Sequence, residues 1–181
     1  MEFSREILPG ARLVLLKRFD DLRGSFVKTY AYSAFDKQGA AFDLREEFYS
    51  FSHKNVIRGM HFQLPPHDHV KLVFCPVGAV LDVLVDLRHG PGYGRVESVV
   101  LGEDVPSMLV IPRGIAHGFK SLRDNSLMVY KTSTEHAPSH DAGIHWDSFG
   151  FDWCVDAPIV SARDAAHPAL ADFESPFSRA N

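Results

Sequence analysis

At 181 residues, with 45% hydrophobic and 23% charged residues, the chain is long enough to bury a core, short enough for one domain, and too apolar to be disordered. A net charge of -4, from 19 Lys+Arg against 23 Asp+Glu, leaves no basic field for nucleic acid. No apolar run approaches the ~20 residues that span a bilayer, the start MEFSREILPG lacks the pattern of a signal peptide, and Cys75 and Cys154 form no CxxC unit, so a cytoplasmic protein without disulfides or thiolate-bound metal is expected.

In chain order, short apolar runs predict strands at 13–19 (LVLLKRF) and 25–30 (SFVKTY), followed by a helix at 33–38 with Ser33 as N-cap and Gly39 as stop. Further strands are expected at 71–77, 79–88, 95–101, 107–112 and 127–133, separated by turn residues such as Gly90-Pro91-Gly92, Arg113-Gly114 and Asp124-Asn125. The clearest is 79–88, where Ala79, Leu81, Val83, Val85 and Leu87 share one face and Asp82, Asp86 and Arg88 the other, the pattern of a half-buried strand. A second, weak helix follows Ser161. Many short strands and little helix make a mainly β chain, a sandwich or barrel.

Three polar residues interrupt or end apolar strands: His61 in RGMHFQ, Lys71 in HVKLVF and Tyr130 in LMVYKT. Each has a structural reading beside a chemical one: a satisfied strand histidine, a solvent-facing strand end, and a core tyrosine with its hydroxyl at the rim.

Taken together, the motifs tell more. Arg58-Gly59-Met60-His61-Phe62-Gln63, Lys71-Leu72-Val73, Asp82 to Arg88, Ile111 to Phe119, Tyr130-Lys131-Thr132 and Gly143 to Asp147 follow in an order that resembles the dTDP-4-dehydrorhamnose 3,5-epimerase family. The resemblance runs from about Arg23 to Asp164 and implies a single cupin-type jelly-roll domain over 1–181 with a tail from about 165. It also implies a homodimer joined through its N-terminal strands, acting on a nucleoside-diphosphate 4-keto-sugar without metal or cofactor. By the same resemblance His61 is the base, Lys71 the cation facing the enolate oxygen, Tyr130 the acid on the opposite face, and Asp164 the carboxylate behind His61. Arg58 and His117 are implied at the diphosphate, Phe26 and Gln63 at the substrate, and Arg23 as a residue reaching in from the partner subunit.

The chemistry fits these side chains. A hydrogen beside a ketone is acidified, an imidazole titrates near working pH, and a cation lowers the barrier most where negative charge develops. Arg23 reads equally as a surface ion-pair residue, and Asp164 as a helix N-terminal acid.

The sequence departs from the family pattern at three places. Lys28 stands where an acidic acceptor for the thymine N3–H is expected, Phe48-Tyr49-Ser50 replaces Asn-His-Ser, and Glu135-His136 replaces Tyr-Tyr. A lysine donates and cannot accept, so another carrier nucleotide, such as CDP or GDP, or another sugar is the expectation. The rival from a different class is a metal cupin using His67, His69 and His117. Against it, the glutamate expected after the HxH pair is missing, Lys71 lies beside it, and His67 and His69 are expected on an exposed loop. A ketoisomerase or a non-catalytic sugar-nucleotide binder is the remaining alternative.

Overall fold

The apolar alternations close into two antiparallel sheets that face each other across a common interior. The computed structural model describes residues 1–178, so 179–181 of the expected domain lie outside the described residues. One sheet has six strands in the spatial order β1 (Glu2–Leu8), β2 (Ala11–Leu15), β10 (Ser107–Ile111), β7 (Lys71–Val77), β12 (Ser126–Thr132) and β5 (Glu46–Ser52). The other has five: β13 (Asp141–Gly143), β6 (Ile57–Gln63), β11 (Ile115–Ser121), β8 (Ala79–Asp86) and β9 (Val96–Gly102). A separate two-stranded hairpin, β3 (Arg18–Asp21) with β4 (Gly24–Val27), stands apart from both. Helix is confined to α1 (Tyr32–Asp36), α2 (Ala162–Ala165) and a 3-10 turn at Leu170–Asp172. This is the cupin-type jelly roll that the sequence resemblance implies. Among the described residues no helix is long and apolar enough to cross a membrane.

Between the sheets, Leu13, Val73, Leu109 and Met128 meet Val80, Leu84, Ile115 and Phe119. The outer face of the five-stranded sheet is also covered: Met60, Phe62, Val83, Val85 and Leu87 pack beneath Ile144, Trp153 and Phe177 of the C-terminal segment. Phe35 of α1 similarly caps Val14, Leu72, Met108 and Val110 behind the six-stranded sheet.

This layering corrects the reading of 79–88 as half-buried. Its apolar face packs under the C-terminal segment, and Asp82, Asp86 and Arg88, expected in solvent, are 0%, 3% and 7% exposed. Burial of these charges is tolerated because they are paired. Arg88 Nη2 lies 2.6 Å from Asp86 Oδ2 and also donates to the Pro9 carbonyl, while Asp82 binds His117.

Other differences are local. The run 13–19 breaks at Leu16-Lys17, where the chain leaves the six-stranded sheet for the hairpin, and the strand expected over 25–30 ends at Val27. The first helix is capped by Ala31 without a side-chain bond, not by Ser33, and Gly39 follows it at φ 62°. The second helix is capped by Ser161, whose hydroxyl accepts the Asp164 N–H at 3.0 Å. Cys75 and Cys154 are both free thiols.

Candidate active site

Gly59 sets the position of the central motif. Its φ of +138° is left to glycine, and a Cβ there would fall 2.5 Å from the Gly118 Cα, so β6 and β11 approach more closely than any side chain permits. That contact points Arg58 and His61 of β6 to defined places. A cavity of about 390 Å³ opens between the sheets, a volume suited to a small-molecule ligand, and its lining includes Arg58, His61, Gln63, Lys71, His117 and Tyr130.

His61 projects from the five-stranded sheet, Lys71 and Tyr130 from the six-stranded one facing it. The His61 Nε2 lies 2.8 Å from Asp164 Oδ1, and Asp164 Oδ2 accepts the Gly59 N–H at 3.2 Å. An ionised carboxylate on Nε2 fixes the proton there and leaves Nδ1 with its lone pair. Partial burial works against ionisation of Asp164, but the hydrogen bond and charge of His61, with the Gly59 and Ser161 contacts, hold it below the usual carboxylate value. Asp164 itself is buried behind the ring and does not line the cavity.

Lys71, 8% exposed, has no ion pair or hydrogen bond from its ammonium among the described residues. Burial lowers its pKa to about 8, with Asp82 the main opposing charge. Tyr130, 7% exposed, has among the described residues a single polar contact from its hydroxyl, Ser50 Oγ at 3.3 Å, and burial raises its pKa well above that of an ordinary phenol. It therefore holds its proton throughout the neutral range.

His117 sits deeper, its Nε2 2.8 Å from Asp82 Oδ2, with the two side chains 3% and 0% exposed. Burial drives the imidazole down and the carboxyl up, each towards its neutral form, and among the described residues Asp82 Oδ1 has no partner. Arg58 is aimed by two bonds to β5, Nε to Ser52 Oγ and Nη2 to the Phe51 carbonyl, both at 3.1 Å. The Gln63 amide is engaged by protein: it donates to the His67 carbonyl and Thr134 Oγ1 and accepts the Ala137 N–H.

The hairpin residues are not brought into the cavity. Arg23 is exposed and ion-paired to Asp21 at 2.6 Å, Phe26 is 60% exposed, and Lys28 lies exposed just past β4. His69, expected on an exposed loop, instead lines the cavity, because Gln63 and Thr134 hold its Nδ1. Burial lowers its pKa to about 3, so it is a neutral imidazole whose Nε2 has no partner among the described residues.

The potential metal donors do not gather as His67, His69 and His117; those within 4.8 Å of one another are His61, Asp164 and His167, around the bond already described. The sequence motifs carry no sign of the cavity residues Glu46, Asp141 and Arg163, whereas Phe48 stands out only as a departure from the family pattern.

Comparison with known proteins identifies the family. The sequence profile described as dTDP-4-dehydrorhamnose 3,5-epimerase matches residues 5–172. The dTDP-4-dehydrorhamnose 3,5-epimerase of Sinorhizobium fredii is 33% identical, over 98% of this chain and 93% of its own. The crystal structure of dTDP-6-deoxy-D-glucose-3,5-epimerase from Legionella pneumophila, in complex with dTDP-4-keto-L-rhamnose, superposes with a TM-score of 0.93 at 27% identity over 99% of each chain. A 3'-monoepimerase from Streptomyces bikiniensis, in complex with dTDP-quinovose, gives 0.84 at 30% identity, over 90% of this chain and 84% of that one. The chain belongs to the dTDP-4-dehydrorhamnose 3,5-epimerase family, whose members are carbohydrate epimerases acting on nucleotide-linked deoxysugars.

Proposed function

We propose that the chain inverts C3, C5 or both in a nucleoside-diphosphate-linked 4-keto-6-deoxysugar, with His61 as base and Tyr130 as acid. The observation that carries this reading is that the two side chains come from facing sheets and line one cavity, with the unpaired Lys71 ammonium in the same lining. Inversion needs proton removal on one face of a carbon and return on the other.

The C–H bond next to the ketone breaks, its proton passing to His61 Nδ1 and its electron pair to the C4 oxygen. Lys71 stabilises that oxygen more as an enolate than as a ketone, which is the condition for catalysis. The enolate carbon then takes the Tyr130 hydroxyl proton on its opposite face. The resulting phenolate is reprotonated by water, and the imidazolium returns its proton to solvent.

Arg58, with His117 in the cavity, holds the diphosphate end, since a guanidinium fork matches phosphate oxygens. The molecule works as a homodimer in which Arg23 and Phe26 enter the partner's cavity. Support comes from exposed apolar side chains on the hairpin and the β5 edge: Leu22, Phe26, Tyr49 and Phe51 are at least 56% exposed. The whole chain acts as one domain.

The test is solvent deuterium incorporation: candidate 4-keto-sugar nucleotides are incubated with the protein in D2O and C3–H and C5–H followed by NMR. Enzyme-dependent exchange with inversion is expected. No exchange at either carbon would refute the assignment.

A further inference from the structure

Phe48 lies directly opposite Tyr130 in the β5–β12 ladder, and their rings stack with centroids 4.7 Å apart and planes 13° from parallel. Both side chains line the cavity. The remaining hold on the Tyr130 hydroxyl is the long contact to Ser50 at 3.3 Å, close to the limit of a hydrogen bond. Core packing holds the Tyr130 ring, which is 7% exposed and edge-on to His117 at 6.2 Å between centroids, so what its hydroxyl lacks is fine aim. A broad, nearly parallel ring laid against it supplies that aim, because offset stacking has a narrow geometric preference.

We propose that Phe48 is a positioning residue for the proton-return step: its ring fixes the direction of the Tyr130 hydroxyl. This rests on the epimerase reading and deepens it. Proton removal at His61 takes place at the opposite wall and makes no use of Phe48. Return of the proton depends on where the phenol points, and an enolate that waits is reprotonated from the face it lost its proton, giving exchange without inversion. Misplacement of a reacting group by about 1 Å costs on the order of 100-fold in rate, so a loosened Tyr130 changes the outcome of the reaction more than its initiation.

The experiment measures, in D2O, the ratio of exchange without inversion to inversion for wild type, Phe48→Leu, Phe48→Asn and Phe48→Tyr. Leu keeps an apolar wall without a flat ring, Asn keeps neither, and Tyr keeps the ring. The ratio is expected to rise about tenfold in the Leu and Asn variants and to stay near wild type in Phe48→Tyr. An unchanged ratio in Leu and Asn overturns the proposal, as does an equal rise in all three. If wild type shows no exchange, the epimerase reading itself fails, and 19F-tyrosine labelling decides the positioning claim separately. The Tyr130 resonance, assigned with Tyr130→Phe, should shift or broaden in Phe48→Leu, and a sharp, unmoved resonance overturns it.

Discussion

Asp164 and His61 are 103 positions apart in sequence and 2.8 Å apart in space, Oδ1 on Nε2. In the proposed reaction a carboxylate there stabilises the imidazolium formed when His61 takes a proton, and it keeps Nδ1 as the nitrogen with the free lone pair. Asp164→Asn should slow deuterium exchange by about 100-fold while leaving nucleotide affinity near wild type, as read by NMR and calorimetry. The carboxyl is depressed in the folded state, so its stabilisation is present above the ordinary value of 3.8 and disappears as pH falls through the folded value. Acid unfolding of Asp164→Asn should accordingly be less steep.

Lys71 sets a trade between stability and activity. Its pKa of about 8, against 10.5 for an ordinary lysine, means that the charged form is disfavoured on folding by on the order of 3 kcal/mol at neutral pH. Between pH 8 and 10.5 the unfolded chain holds this proton and the folded chain does not, so its contribution to stability should rise across that window. Inversion, which needs the cation, should fall as pH rises past about 8. Lys71→Met should melt at higher temperature than wild type at pH 7 and lose at least about 100-fold in exchange rate.

Tyr130→Phe removes the donor without opening a large cavity. Exchange at the carbon next to the ketone should persist within about tenfold of wild type, whereas inversion should fall by at least about 100-fold. Equal loss of both in the NMR assay would place the tyrosine elsewhere in the reaction.

Base recognition is tested by titrating dTDP, CDP, GDP and UDP. Arg58→Ala should weaken all four by about tenfold or more, since the phosphate contact is common to them. With Lys28 unable to accept from thymine N3–H, dTDP should gain no more than about threefold over the others. A clear dTDP preference would sink that reading of Lys28.

The homodimer is tested by light scattering on Tyr49→Asp and Phe51→Asp. Each puts a charge on an exposed apolar position of the β5 edge and should shift the protein towards monomer with weaker diphosphate binding. Arg23→Ala should weaken diphosphate binding while leaving the dimer intact. A wild type that is monomeric at micromolar concentration would overturn the shared-cavity reading.

The strands at 71–77, 107–112 and 127–133 were legible because their apolar runs are unbroken, and the structure places each within one residue of the expected ends. β11 was not legible: His117, Gly118 and Lys120 break its run. All three are buried, since Asp82 receives the histidine and the carbonyls of Trp153 and Cys154 receive the lysine. β5 was missed because it has an aromatic on each face, Phe48 inward and Tyr49 and Phe51 outward, so polarity does not alternate. In the site, His61, Lys71, Tyr130 and Arg58 were found through their ordered motifs. Asp82, read as a solvent-facing charge, was misplaced because its partner His117 lies 35 positions away, and local pattern carries no trace of such a pairing.

β5 pairs with β12 through seven consecutive residues without a register shift, from Ser126↔Ser52 to Thr132↔Glu46. Adjacent residues on this one strand serve different clients: Phe48 stacks on the Tyr130 ring at the cavity, and Tyr49 looks outward. A point substitution can therefore retune one surface and spare the other, but a single inserted or deleted residue would exchange them wholesale. The strand thus tolerates a change of letter far better than a change of length.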